Sequence, residues 1–433
     1  MTGKDAVPGG GRGLRLAVVG NPGNRRVRLF TEAAAAAGFA APRVVAWLDV
    51  LRDGGAGFAP EEVVRLDSPG EHPEVDRLLR GVDDPTRVEG GARWYAAFTA
   101  AVRSLRGGVR LDDPDELAVL FDKRACHRLL ARAGVPVPES PTSGGAAPVR
   151  GWDDLRALMR AHRMPRVFVK PAHGSSASGV VALETASGGR VRATTSVESV
   201  DGRLFNSLRV RRVTAEREAA ALVDALAPDG LHVERWLPKA TVDGRAADVR
   251  VLVVAGRATH AVLRTSRWPM TNLHLGGARG DLAAAVAAAG PAWEEGLRVC
   301  ERAAACFPGT LAVGVDLLPT AGWRHFAVAE VNAFGDLLPR LTGLPGTAAE
   351  GLDTYGAQLA ALPAHVAART GGPAGPAAAG GPAAGAGPAT PVPYPGPATP
   401  AGRAAPAATA GPAASARPAT PATPAREQHS AST

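Results

Sequence analysis

The sequence predicts a mixed α/β (α+β) protein of more than one domain, and three observations carry that prediction. Strand-like and helix-like patterns alternate along the chain, which excludes an all-helical fold. The chain opens as strand, turn, helix, strand: residues 14–20, the turn Asn21-Pro-Gly-Asn24, a helix over 27–37 and a second strand near 43–47, a β-α-β start of Rossmann-like type. Finally, 433 residues are enough to bury two or three cores. The first turn lacks the full GxGxxG spacing, so no dinucleotide is assigned to it.

The most informative later element is a hairpin. Val313-Gly-Val-Asp-Leu-Leu318 and Val328-Ala-Glu-Val-Asn-Ala333 read as strands joined by the turn Pro319-Thr-Ala-Gly-Trp323. Side chains alternate along a strand, so Glu330 and Asn332 share one face. A turn centred near Gly322 puts Asp316 opposite Val328 and diagonal to Glu330 on that face, roughly 7–8 Å away. A slip of one residue undoes the arrangement. Asp316, Glu330 and Asn332 are hard oxygen donors that suit Mg²⁺, which completes its shell with water and phosphates. The plain alternative is a hairpin with one solvated polar face.

Upstream, Arg166-Val-Phe-Val-Lys-Pro171 is an apolar strand ending in a lysine, and residues 180–183 read as its returning partner. The connecting stretch His173-Gly-Ser-Ser-Ala-Ser-Gly179 is made of small residues, whose backbone N–H groups can approach phosphate oxygens while the hydroxyls add donors. Lys170 supplies a point charge for the same phosphates. No Gly-Lys-Ser/Thr or helix start follows, so this is not a Walker A loop. A flexible hairpin tip and a lysine snorkelling at a sheet edge are the alternatives. A third strand, Leu231-His-Val-Glu-Arg-Trp-Leu237, carries Glu234 inside an apolar pattern and leads to Asp248-Val-Arg-Val-Leu-Val-Val254. Arg264 and Thr271-Asn-Leu-His-Leu-Gly-Gly277 precede the hairpin.

In this order the parts resemble the ATP-grasp superfamily, and among its members the RimK-like and glutathione-synthetase-like carboxylate–amine ligases. Phe121-Asp-Lys-Arg-Ala-Cys-His-Arg-Leu-Leu130 followed by Gly134-Val-Pro-Val-Pro138 is similar to the start of that superfamily's nucleotide-binding domain. The resemblance spans roughly residues 111–365, and the order of the motifs is more specific than any one of them. The opening Arg15-Leu-Ala-Val-Val-Gly-Asn-Pro-Gly-Asn-Arg-Arg26 also resembles the start of an uncharacterised bacterial family of RimK-like ATP-grasp proteins.

The resemblance implies a Rossmann-like domain over 13–110, a small ATP-grasp subdomain over 111–236 and a C-terminal subdomain with the metal site over 237–368. It implies an ADP-forming ligase that makes a carbon–nitrogen bond between a carboxylate and an amine, borne by small molecules or a peptide. The cofactors implied are ATP and two Mg²⁺ ions, with Mn²⁺ able to substitute. Lys123 and Lys170 would contact phosphates, and Gly174, Ser175, Ser176, Ser178 and Gly179 would form the lid over them. Glu234 and Leu237 would flank the adenine, with Arg235 and Trp236 contributing backbone; Asp248, or Asp243 in competition with it, would be the ribose acid. Asp316, Glu330 and Asn332 would hold the metal ions, and Arg264 and Asn272 would stabilise the transferring phosphate or the tetrahedral intermediate. Since the first domain often contributes to the acceptor side in such enzymes, Asn21, Asn24 and Arg25 are candidate substrate contacts, although turn chemistry explains the asparagines equally well. A small-molecule kinase using the same site and a non-catalytic ATP-binding module remain open as alternatives. Some thirty additional residues separate the loop from the hinge and include strand-like runs at 190–196 and 204–213. An added hairpin or a substrate contact would explain them.

Composition sets consistent bounds. No apolar run reaches membrane-spanning length and no signal-peptide pattern opens the chain, so a cytoplasmic protein without membrane contact is expected. The alanine run 283–289 reads as a helix. Cys126, Cys300 and Cys306 form no CxxC pair and read as buried or free thiols. Of the net charge of +8, the stretch from Gly371 onward holds +2, leaving +6. The most basic cluster, Arg209, Arg211 and Arg212, lacks interleaved aromatics, so no nucleic-acid partner is expected. His173, His232 and His274 stand singly and read as hydrogen-bonding residues. Residues 371–433 are dominated by Pro, Ala, Gly and Thr with almost no bulky apolar side chains, which predicts a disordered tail without a catalytic part. The oligomeric state leaves no signature in the sequence.

Overall fold

Strand β1 (Arg15–Gly20) is buried along nearly its whole length, as expected of a strand covered on both faces. The structure, a computed structural model, describes residues 13–84, 86–144, 148–174, 177–334, 338 and 340–371. Asn24 caps helix α1 (Arg25–Ala36) by accepting the Arg26 N–H at 2.8 Å. Then come β2 (Arg43–Ala46), α2 (Trp47–Asp53), β3 (Ala56–Leu66), α3 (Pro73–Arg80), α4 (Gly91–Ser104) and β4 (Leu105–Arg110). The four strands form a parallel sheet in the order β2-β1-β3-β4. Leu16, Val18 and Val63 pack under α1, and Ala17, Val19, Val64 and Leu66 pack towards α2 and α4. The predicted β-α-β opening is therefore present, and residue 47 begins a helix instead of ending a strand.

Two capped helices follow. Asp113 caps α5 (Pro114–Leu120) and Asp122 caps α6 (Lys123–Arg132). After α7 (Trp152–Ala161) come β5 (Arg166–Pro171), β6 (Val181–Thr185), β7 (Val191–Val200), β8 (Arg203–Val213), α8 (Glu216–Leu226) and β9 (Leu231–Arg235). They make a second, antiparallel sheet in the order β8-β7-β6-β5-β9. Val167, Val169, Val181, Leu183 and Val233 bury one face against α7 and α8. Phe168, Lys170, Ala182 and Glu234 alternate with them, as the two-residue period requires. The strand-like runs at 190–196 and 204–213 lie in β7 and β8, a hairpin on the edge of this sheet.

The third sheet has the order β13-β12-β11-β14-β15, with β10 paired to β11. Its elements are β10 (Thr241–Val242), β11 (Arg245–Val254), β12 (Arg257–Ser266), β13 (Ala278–Arg279), α9 (Leu282–Ala289), α10 (Ala292–Ala304), β14 (Ala312–Pro319) and β15 (Phe326–Asn332). Val249, Val251, Leu263, Val315, Leu317 and Val331 belong to a core that includes residues of α10 and also of the first sheet. Helix α11 (Thr354–Thr370) returns to the first sheet, where Tyr355, Leu359 and Leu362 join Phe30 and Val63. No described helix is long and apolar enough to cross a membrane, and the three cysteines are free thiols.

Gly371, with φ +69°, closes α11 in the left-handed conformation that glycine adopts without strain. Residues 372–433, the predicted tail after its first residue, lie outside the described residues. A chain ending at Gly371 is expected to melt within about 2 °C of the full chain in calorimetry, because the sequence from 372 onward has almost no bulky apolar side chains to bury. A drop beyond roughly 5 °C would show that the tail packs on the protein.

Candidate functional site

The hairpin β14–β15 is present with a register that differs from the predicted one. Asp316 stands directly opposite Glu330, and Gly314 opposite Asn332. The predicted partner of Asp316, Val328, pairs with Leu317 instead, because a β-bulge makes Ala329 an additional residue. The bulge keeps Val328 and Val331 both in the core while Glu330 and Asn332 share the other face. Directly opposed side chains sit roughly 4.5–5.5 Å apart at Cβ, closer than the diagonal spacing expected from the sequence.

Cations surround the two carboxylates. Arg250 of β11 is the other cross-strand neighbour of Asp316, and its Nε and Nη2 donate to the carboxylate at 2.5 and 3.2 Å. Arg264 of β12 donates through Nε and Nη2 to the two oxygens of Asp248 at 2.7 and 3.0 Å, and through Nη2 to Asp316 at 2.9 Å. Burial pushes the Asp316 carboxyl up, but Arg250 and Arg264 outweigh it and hold the group below the usual carboxylate range. Lys123, the first residue of α6, donates from Nζ to Glu330 Oε1 at 2.9 Å and to the Gly174 carbonyl at 2.6 Å. Burial lowers the Lys123 ammonium, and Glu330 more than offsets that, so it lies above its ordinary value.

Two members of this cluster were given no role from the sequence. Arg250 had a signal: it lies two residues from Asp248 and therefore on the same strand face. Lys239 had none, because it sits in the connection after β9. Its Nζ donates to the Pro269 carbonyl at 3.0 Å and to Thr271 Oγ1 at 3.2 Å, and lies 3.8 Å from Asp248 Oδ2. Burial pulls the Lys239 ammonium down, with Asp248 only partly compensating.

On the second sheet, Lys170 Nζ lies 2.6 Å from Glu234 Oε1, and His232 Nε2 lies 3.1 Å from Glu234 Oε2. All three are buried. Burial pushes the Glu234 carboxyl up, yet the Lys170 charge and the His232 contact hold it at about 2.

The other residues singled out from the sequence are placed as follows. Asp248 is 4% exposed, gripped by Arg264 and bonded by the Thr271 hydroxyl, and so anchors the Arg264 guanidinium. Its competitor Asp243 is exposed, on the β10–β11 turn at φ +51°. The N–H groups of Arg235 and Trp236 donate to the Glu139 and Arg166 carbonyls at 2.8 and 3.1 Å, so these donors are not available to a base. Trp236 instead places its ring 5.2 Å from that of Phe168, and Leu237 is half-buried beside it in the chain. Asn272 organises its own turn, accepting the His274 N–H at 2.9 Å, and a Cβ on Gly277 would come within 2.6 Å of the Thr271 carbonyl, which explains the second glycine of the pair. His173 donates from Nδ1 to the Phe121 carbonyl at 2.8 Å, in keeping with a hydrogen-bonding histidine.

Between β5 and β6, Gly174 turns its carbonyl to Lys123, Ser178 is half-buried, and Gly179 sits at φ +74° where a Cβ would meet Pro171 at 2.4 Å. Ser175 and Ser176 lie outside the described residues.

No group of three His, Cys, Asp or Glu side chains gathers as a metal cluster among the described residues. The available donors are the carboxylates of Asp316 and Glu330 and the amide of Asn332, whose Nδ2 donates to the Gly314 carbonyl at 3.3 Å and so leaves its oxygen as the donor atom. Hard oxygens on one face, one of them held as an anion, fit Mg²⁺ in a shell shared with water and phosphate.

No family model matches the chain, and no curated protein does. Solved structures are similar to it at low identity. One is the crystal structure of the D-cycloserine synthetase DcsG, at 17% identity over 81% of this chain and 99% of that one, with a TM-score of 0.49. Another is the ATP-grasp ligase PsnB complexed with precursor peptide PsnA2 and AMPPNP, at 18% identity over 81% and 98%, with a TM-score of 0.43. A third is a RimK domain ATP-grasp protein from Sphaerobacter thermophilus, at 17% identity over 75% and 92%, with a TM-score of 0.41.

Proposed function

We propose that the chain is an ATP- and Mg²⁺-dependent carboxylate–amine ligase that works through an acyl phosphate on a small molecule or peptide. The observation that carries this is the cross-strand row Arg250–Asp316–Glu330, with Lys123 and Arg264 closing on the same two carboxylates. A triphosphate needs such a surface: cations for its oxygens, and paired carboxylates that hold a divalent ion against them.

Asp316, Glu330 and Asn332 would hold Mg²⁺, which when bound neutralises charge on the phosphates. Lys123 and Lys170 serve as point charges on the phosphate chain, exchanging part of their pairing with Glu330 and Glu234 for the nucleotide. Arg264, held flat by Asp248, presents Nη2 towards Asp316, where negative charge accumulates in phosphoryl transfer. The substrate carboxylate attacks the γ-phosphorus, the bond to ADP breaks and an acyl phosphate forms. The amine, after losing its proton to solvent, adds to the acyl carbon, and phosphate leaves with the bonding pair. A cysteine nucleophile has no place in this scheme, since burial pushes the Cys126 thiol up to about 12 and Cys300 higher still.

ADP release does not separate this ligase from a kinase. With ATP labelled at the γ-phosphate, candidate amino acids or peptides and hydroxylamine, the expected result is a hydroxamate together with labelled free phosphate. Label on a stable phosphorylated product would overturn the ligase and favour the kinase.

A further inference from the structure

A second polar cluster lies away from the carboxylate hairpin, at the carboxyl ends of β1 and β3. These neighbouring parallel strands send their following helices to opposite faces of the sheet, α1 after β1 and α3 and α4 after β3. A crevice outside the strand ends at such a reversal is the preferred ligand position of open parallel sheets.

The side chains there are buried and incompletely paired. Arg65, 5% exposed, is held between the Phe30 and Tyr355 rings at 4.7 and 5.2 Å, and its Nη1 donates to Gln358 Oε1 at 2.5 Å. Its Nε and Nη2 carry no hydrogen-bond partner among the described residues. These two donors form the side edge of the guanidinium, the fork that a carboxylate fills with two parallel bonds. Asp112, buried nearby, accepts the Leu66 N–H at 3.4 Å and does not close on that fork.

Asp67 lies two residues further along the same face, roughly 7 Å on. It is 1% exposed; Oδ1 takes Arg26 Nε at 2.8 Å and the Ser68 N–H at 2.9 Å, and Oδ2 has no partner. Asn21, 3% exposed at the end of β1, spends its amide N–H groups on the Pro69 and Gly70 carbonyls and leaves Oδ1 without a donor. At one end the Arg65 fork is thus unfilled although Asp112 lies near it, and at the other the oxygens of Asp67 and Asn21 lack N–H donors.

We propose that this cluster is a subsite for the zwitterionic head of an α-amino acid, with its carboxylate on Arg65 and its ammonium between Asp67 and Asn21. Each charge of the ligand completes a buried group that would otherwise stay unsatisfied, at a cost of roughly 1–3 kcal/mol per group. Arg26 links the two sites: it donates to Asp67 and, through Nη2, to the Phe334 carbonyl at 3.1 Å, two residues beyond Asn332. In so far as the ligase assignment holds, on which this step rests, the bound amino acid is the amine substrate, its ammonium end towards the hairpin.

The test is direct binding on the full chain. Saturation-transfer NMR is run with a mixture of the twenty L-amino acids, with and without Mg-AMPPNP. Any responder is then titrated beside its decarboxylated amine and its α-keto acid, each of which lacks one charge. At least one amino acid is expected to bind, with both analogues weaker by about tenfold or more. Arg65→Lys and Asp67→Asn are expected to weaken the amino acid by a similar factor while leaving nucleotide affinity unchanged. Silence from all twenty in both arms, or equal binding of the analogues, would overturn the subsite without need of a folded variant. Amino-acid binding in a chain that fails to bind nucleotide would uphold the subsite and count against the ligase instead.

Discussion

Glu330→Gln is expected to remove Mg²⁺-supported ADP formation by at least on the order of 10²-fold while leaving much of the metal-free nucleotide affinity. Glutamine keeps the shape of the side chain and removes the charge opposite Asp316. The amide loses the charge-assisted bond from Lys123, which still reaches the Gly174 carbonyl. Asp316→Asn should act in the same direction and also leave Arg250 and Arg264 short of their common partner. Turnover with saturating Mg-ATP, together with nucleotide titrations with and without Mg²⁺, checks this. Normal turnover in both variants would put phosphoryl transfer elsewhere on the molecule.

The second large effect concerns the buried Lys170–Glu234 pair. Either Lys170→Met or Glu234→Gln alone should destabilise the protein by about 3–5 kcal/mol, because each leaves an uncompensated charge inside. The double variant should be less destabilised than the sum, and it is the cleaner background for asking whether Lys170 contributes to nucleotide affinity. Chemical denaturation of the four proteins of the cycle measures the coupling; strict additivity would mean that the pair contributes nothing. The pH dependence has a definite sign. Glu234 is held at about 2 against an ordinary 4.5, so its stabilisation is complete above about 4.5 and is lost as the pH falls towards 2. His232, pushed below its ordinary 6.5 by burial, works in the same direction and begins to cost stability as the pH drops below about 6.5. Glu234→Gln should flatten the acid end of this profile.

Much of the fold was legible because strand and helix periods repeat over whole elements. The β-α-β opening, the lysine at the end of β5, the β7–β8 insertion and the β14–β15 hairpin all follow from alternation, apolar runs and turn residues. Of the main site, alternation alone put Glu330 with Asn332 on one face, while the order of motifs pointed to Lys123, Lys170, Glu234, Asp248 and Arg264.

Register, pairing and burial were not legible, and each is a tertiary quantity. Ala329 bulges because Val328 and Val331 must both reach the core, a demand set by neighbours that the hairpin's own sequence does not contain. Asp248 anchors Arg264 because β12 lies beside β11, and Lys239 enters the site only because its loop folds over Thr271. The unpartnered groups of Arg65, Asp67 and Asn21 arise where a strand end, a helix start and α11 meet. The sequence by itself determined which side chains share a strand face. Only the tertiary structure decided which faces meet, because long-range packing, not local periodicity, sets the partner of each charge.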